Sequence, residues 1–205
     1  MVQENAIEAQ ARKVLDEEEI KLASHLSLLL STPGAGAYWL VKDILPVYEK
    51  ERRVFEPRNI YKSLAYVHNQ TAVGGDPHMM RYFLHSMGSH LETCLHGLFP
   101  IYANNSLGKV VSQIQRGGLL HTELAQELLD FNNIVYVHAK HLDEFYPVPV
   151  SIDETTFGFM DGALAFVMFR RLSMKLFKLL RLEGVGLPQD WKEFKEEWLS
   201  GKSQQ

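Results

Sequence analysis

The sequence predicts an all-α fold, a single-domain bundle of about five to seven helices. Three observations carry that expectation. Apolar residues recur at three-, four- and seven-residue spacings along most of the chain. No stretch shows the in–out alternation of a half-buried strand. Gly and Pro cluster between the periodic runs, where they act as punctuation.

Residues 4–30 form the first run. Ile7, Ala11, Leu15, Leu22, Leu26 and Leu29 line one face of a long amphipathic helix, with Glu17, Glu18 and Glu19 mainly on its wet side. Pro33-Gly34-Ala35-Gly36 stops it. Residues 22–41 hold no Asp, Glu, Lys or Arg and are long enough to cross a bilayer. His25, Ser24, Ser27, Ser31, Thr32 and the Pro-Gly run argue instead for two buried helical pieces joined by a turn, and no membrane span is expected. Shorter pieces follow at 38–48, interrupted by Pro46, and at 58–68, with Ile60, Leu64 and Val67. Residues 4–68 thus supply the N-terminal helices. Residues 69–77 have the turn chemistry of a loop, ending in Asp76-Pro77 at a helix start.

A core bundle is expected over 78–182. Met80, Phe83, Leu84, Met87, Leu91, Cys94, Leu95 and Leu98 make one continuous face that ends before Pro100. The next helix begins near Ser106 and stops at Gly117-Gly118. Another runs over 124–141, with Leu120, Leu124, Leu128, Phe131 and Val135 inside. The last strong helix covers 161–182, and its stretch 163–169 is apolar nearly all round, so it should be central. Gly184, Gly186 and Pro188 break the pattern before a short docking helix at 188–199. The Pro-rich piece at 146–150 is too short to divide the chain, and 1–205 reads as one domain.

Charge and cysteine content narrow the function classes. Lys and Arg total 21 against 25 Asp and Glu, a formal net charge of −4. Bulk basicity is therefore not available for coating nucleic acid, although a local patch is compatible with the sum. Cys94 is the single cysteine, so neither an intrachain disulfide nor a thiolate zinc cluster can form within one chain. The opening residues are acidic and helical, unlike a signal peptide, so a cytoplasmic protein is expected. No cofactor is implied.

Three polar constellations are candidates for function. His78, His85, Glu92 and His96 share one sector of their helix, opposite its apolar face. Glu92 and His96 are four apart, so His85, Glu92 and His96 could hold a metal if another helix covered that face. His138 lies on the apolar line of its helix and His141 close by, near a helix C-terminus. They could serve as acid and base, or as core histidines bonded to carbonyls. Residues 170–181 are basic, and Arg171, Lys175 and Lys178 fall on one strip that could touch phosphates. Glu193, Glu196 and Glu197 are the nearby counter-charges.

The segment Phe131-Asn132-Asn133-Ile134-Val135-Tyr136-Val137-His138, on a hairpin-connected helix pair, resembles the HEPN superfamily of small helical bundles. Many members carry an Arg, then four to six intervening residues, then a His, and in the ribonuclease members that pair cuts RNA. His138 matches the histidine; Asn133 stands five residues earlier, where Arg is expected. The resemblance therefore implies a non-catalytic helical binding module that contacts RNA or a protein. The alternatives are a metal-independent ribonuclease using His138 and His141 with Asn133, and a bundle metal or small-ligand site at His85, Glu92 and His96. Trp191, Phe194 and Trp198 crowd one short segment, which predicts a homodimer.

Overall fold

A computed structural model describes residues 6–32, 79–140 and 157–182. The protein is an all-α helical bundle, and no strand occurs among the described residues. The helices expected at 38–48, 58–68 and 188–199 lie outside them, as do Trp191, Phe194 and Trp198.

The first expected helix is two. α1 (Ala6–Ala11) and α2 (Glu17–Ser31) are separated by a turn. A reciprocal cap starts α2: Glu19 N–H donates to Asp16 Oδ1 at 2.8 Å, and Asp16 N–H donates to Glu19 Oε2 at 3.1 Å. Two orphan amides are satisfied at once, so the helix begins afresh there. Ile7, Ala11 and Leu15 are buried before the break, and Ala23, Leu26 and Leu30 after it.

α3 (Met79–Leu98) buries the expected face through Leu95, with Leu98 half-buried. A single 3-10 turn, Pro100–Tyr102, leads to α4 (Leu107–Arg116), which buries Leu107, Val110, Val111 and Ile114. α4 ends in a Schellman motif. Gly118 takes φ 65°, a left-handed value suited to glycine, while Gly118 N–H bonds Gln115 O and Leu119 N–H bonds Ile114 O.

α5 starts as Thr122–Phe131, passes through a π-helical turn at Asn132–Tyr136 and finishes as Val137–Lys140. α6 (Phe159–Leu182) is the centre: every residue from Asp161 to Arg170 is buried. It packs against α1, α2, α3 and α5, while α4 closes on α3 and α5. Phe83, Phe166 and Phe169 form the aromatic middle, with ring centroids 6.2 Å and 6.3 Å apart. Two glycines permit close approach. A Cβ on Gly88 would overlap the Tyr136 ring, and one on Gly162 would overlap the Met80 sulfur. No described helix is long and apolar enough to cross a membrane.

Candidate functional site

The polar face of α3 is covered by the end of α5. Gly88 leaves room for the buried Tyr136 ring, which stands 5.6 Å from the His85 ring and carries Lys140 Nζ 5.1 Å from its centroid. Tyr136 Oη and Ser89 Oγ are 3.5 Å apart. Burial pushes the His85 pKa below its ordinary value, and Lys140 and Arg81 push the same way.

The covering helix does not turn this face into the expected metal centre. Glu92 accepts the Leu107 N–H at 2.8 Å, so it caps α4 from a neighbouring helix, and it lies 3.9 Å from Lys140. Ser106, at the N-cap position, makes no side-chain cap bond, and the carboxylate of α3 replaces it. His96 donates from Nε2 to the Asn105 carbonyl at 2.9 Å. Two of the three expected ligands thus brace the α3–α4 connection. Among the described residues no group of three His, Cys, Asp or Glu side chains is placed to hold a metal ion.

The π turn relocates the histidine site. A π turn takes about one more residue than an α turn, so the inward position after Val135 falls on Ala139 rather than His138. Ala139 is buried and His138 half-buried, with its pKa lowered by burial. Asn133 is exposed on the turn and accepts a bond from Asn132 Nδ2 at 3.0 Å. His141 lies outside the described residues. Sequence spacing also misses a cation: Arg81 of α3 donates from Nε to the Ala139 carbonyl at 2.9 Å, beside His138 in the chain.

The basic strip of α6 is largely neutralised within the fold. Arg171 bonds both Glu19 oxygens, at 2.9 and 3.1 Å, and lies 3.7 Å from Glu127. Lys175 bonds both Glu127 oxygens, at 2.7 and 2.8 Å, with Glu123 at 3.8 Å. The counter-charges come from α2 and α5, distant in sequence. The expected partners Glu193, Glu196 and Glu197 lie outside the described residues. Arg171 and Lys175 are therefore tie points between helices, not an unpaired surface for phosphate. The Lys178 side chain lies outside the described part of the structure.

Two buried titratable groups of α3, Cys94 and His90, are inert by environment. Cys94 is fully buried, its thiol pushed up to about 12, with Sγ 3.6 Å from His90 Nε2. Burial takes His90 down to about 4, against Phe169. A thiol kept protonated beside an imidazole kept neutral is the reverse of an activated cysteine.

A different surface gathers open polar groups. Between α4 and α5 runs a groove of about 580 Å³ lined by Lys109, Ser112, Gln113, Arg116, Asn132 and Asn133 among others. Lys109 and Arg116 are seven residues apart, two turns on one face of α4. Neither forms an ion pair among the described residues, and no carboxylate is among the described lining residues. Fold and groove together define a helical bundle with an open, donor-bearing cleft. Comparison with family models, with curated proteins and with solved structures found no match.

Proposed function

We propose that the chain is a HEPN-like helical binding module that receives an RNA or a protein in the α4–α5 groove and does not transform it. One contrast supports this reading: Arg171 and Lys175 are neutralised by carboxylates of neighbouring helices, whereas Lys109 and Arg116 face an open groove without an ion pair among the described residues. Charges in the first state hold helices together; charges in the second are available to a ligand. Residence in the cytoplasm and self-association through the Trp191 segment belong to the same reading, and sedimentation at high protein concentration tests the latter.

A ribonuclease is the second reading, favoured by the Arg81 guanidinium beside the His138 segment. Incubation with mixed-sequence RNA separates the two. The expected result is RNA retained by the protein at full length. Shortening of the RNA that disappears in His138→Ala would replace the binding module by the enzyme.

A further inference from the structure

Resting on the reading of the chain as a binding module, we infer that the α4–α5 groove receives an extended acidic peptide. Carboxylates three residues apart on that peptide meet Lys109 and Arg116, and its backbone bonds the amide side chains of the groove.

The two cations set the spacing. Lys109 and Arg116 lie two turns apart on one face of α4, about 10 Å along its axis at about 1.5 Å per residue. An extended peptide of the polyproline-II type climbs about 3 Å per residue and turns once in about three residues. Every third side chain therefore points the same way, about 9 Å further on. Two carboxylates at that spacing reach both cations at once. Arg116 donates from Nε to the Ser112 carbonyl at 3.1 Å, so its two terminal amino groups stay open as an end-on fork that fits a carboxylate. No carboxylate is among the described lining residues to compete for either charge.

The uncharged groups of the groove suit a peptide backbone. Gln113 Oε1 already accepts from Asn105 Nδ2 at 3.0 Å, and Asn133 Oδ1 from Asn132 Nδ2 at 3.0 Å. The NH₂ groups of Gln113 and Asn133 are thereby left to donate. Ser112 Oγ gives its proton to the Gly108 carbonyl at 2.8 Å, so toward a ligand it accepts, as does Asn132 Oδ1. Gly108 leaves room for the Asn132 amide: a Cβ there would stand 3.0 Å from Asn132 Nδ2. Two donors beside two acceptors match a chain that presents one N–H and one C=O per residue. An extended peptide keeps both groups free, whereas a helical one spends them on itself. Single-stranded nucleic acid fits less well, because no aromatic side chain is among the described lining residues for its bases to stack on.

The experiment is fluorescence anisotropy with a pool of short labelled peptides that carry two glutamates three positions apart among mixed neutral residues. The parent should bind this pool, and Lys109→Gln/Arg116→Gln should bind it about tenfold more weakly. Lys109→Glu/Arg116→Glu should refuse it and accept the matching pool with lysines in place of the glutamates. Both residues are exposed, so the variants should keep the parent's circular dichroism spectrum and thermal midpoint. Arg12→Gln/Lys21→Gln removes the same charge from exposed positions outside the groove and should bind as the parent does. A pool with adjacent glutamates should bind the parent several-fold more weakly. Equal loss in the two neutral double variants would reduce the effect to net charge and overturn the groove assignment. Equal affinity for the two pools would overturn the extended, two-point contact. A parent that ignores the spaced pool overturns the acidic peptide as ligand. If that parent retains a mixed-sequence RNA intact, the binding-module reading stands without the inference; if it shortens the RNA, that reading falls as well.

Discussion

His90 and Asp161 are both buried, and they respond to acid in opposite directions. Burial holds His90 near 4, whereas a histidine in the unfolded chain protonates around 6.5. Between those values the unfolded state binds more protons, so the stability His90 contributes is complete above pH 6.5 and drains away as pH falls towards 4. Asp161 is raised by burial from 3.8 to about 6; a backbone bond from Gly158 restrains the rise, and Glu8 acts both ways, its charge raising and its backbone bond lowering the value. The folded state binds more protons between those values, so this group adds stability as pH falls from about 6 towards 3.8. In the parent the two effects partly cancel. Denaturant unfolding at pH 7 and pH 4.5 should show Asp161→Asn losing more stability on acidification than the parent, and His90→Phe losing less. The reverse order would contradict these environments. His138 adds a simpler check. Its ring should titrate by NMR below the ordinary histidine value, since burial disfavours the imidazolium; a midpoint at the ordinary value would contradict its half-burial.

At the scale of elements, two close approaches differ in how they tolerate an added methyl group. A Cβ on Gly88 meets the rigid ring of Tyr136, which is pinned between α3 and the π turn. A Cβ on Gly162 meets the far end of Met80, a side chain with rotatable bonds to spare. Gly88→Ala should therefore cost about 2–3 kcal/mol and Gly162→Ala clearly less, measured by urea unfolding. Equal losses would show that the Met80 pocket is as unyielding as the ring. The inner faces of α3 and α6 are legible in sequence because apolar periodicity is a local property, written every three or four residues. The start of α2 is legible as well: Asp16 and Glu19 have capping-box spacing, but the apolar line from Ile7 to Leu29 runs straight through them and masks the break. The π turn leaves no comparable mark. Asn132 and Asn133 fit an α-helix as readily, so the displacement of His138 by one position is not written in the local sequence.

The whole molecule is tied together across sequence by the Arg171 network. Its guanidinium joins α6 to Glu19 of α2, reaches the Val14 carbonyl in the α1–α2 turn at 3.4 Å and approaches Glu127 of α5. The Arg171 side chain is 25% exposed and that of Glu19 12%, between a surface pair and a buried one. Arg171→Ala should destabilise by about 2 kcal/mol, because it strands a half-buried carboxylate. The Arg171→Ala/Glu19→Ala pair should cost less than the two single changes combined. Strict additivity would mean that the ion pair contributes nothing by itself. This scale also explains why the basic strip misleads in sequence. Neutralising acids 152 and 48 residues away cannot be read from local composition. The α4–α5 groove is half legible: Lys109 and Arg116 share a helical face, but that Asn132 and Asn133 lie opposite them follows only from the packing of two helices.

The Glu92 bond to Leu107 N–H has a consequence in time. The amide it satisfies opens a helix of ten residues, and the carboxylate that satisfies it stands fifteen residues upstream on another helix. Isolated helices of that length are marginal in water, because nucleation fixes several residues for one hydrogen bond. α4 therefore has little reason to form before α3 is helical and alongside it, whether during synthesis or refolding. A peptide of residues 100–121 should show little helix by circular dichroism. A peptide of 79–121 should gain helix beyond the sum of its two halves, and Glu92→Ala should remove much of that gain. Full helicity in the short peptide would show that α4 nucleates by itself and that the cap arrives afterwards.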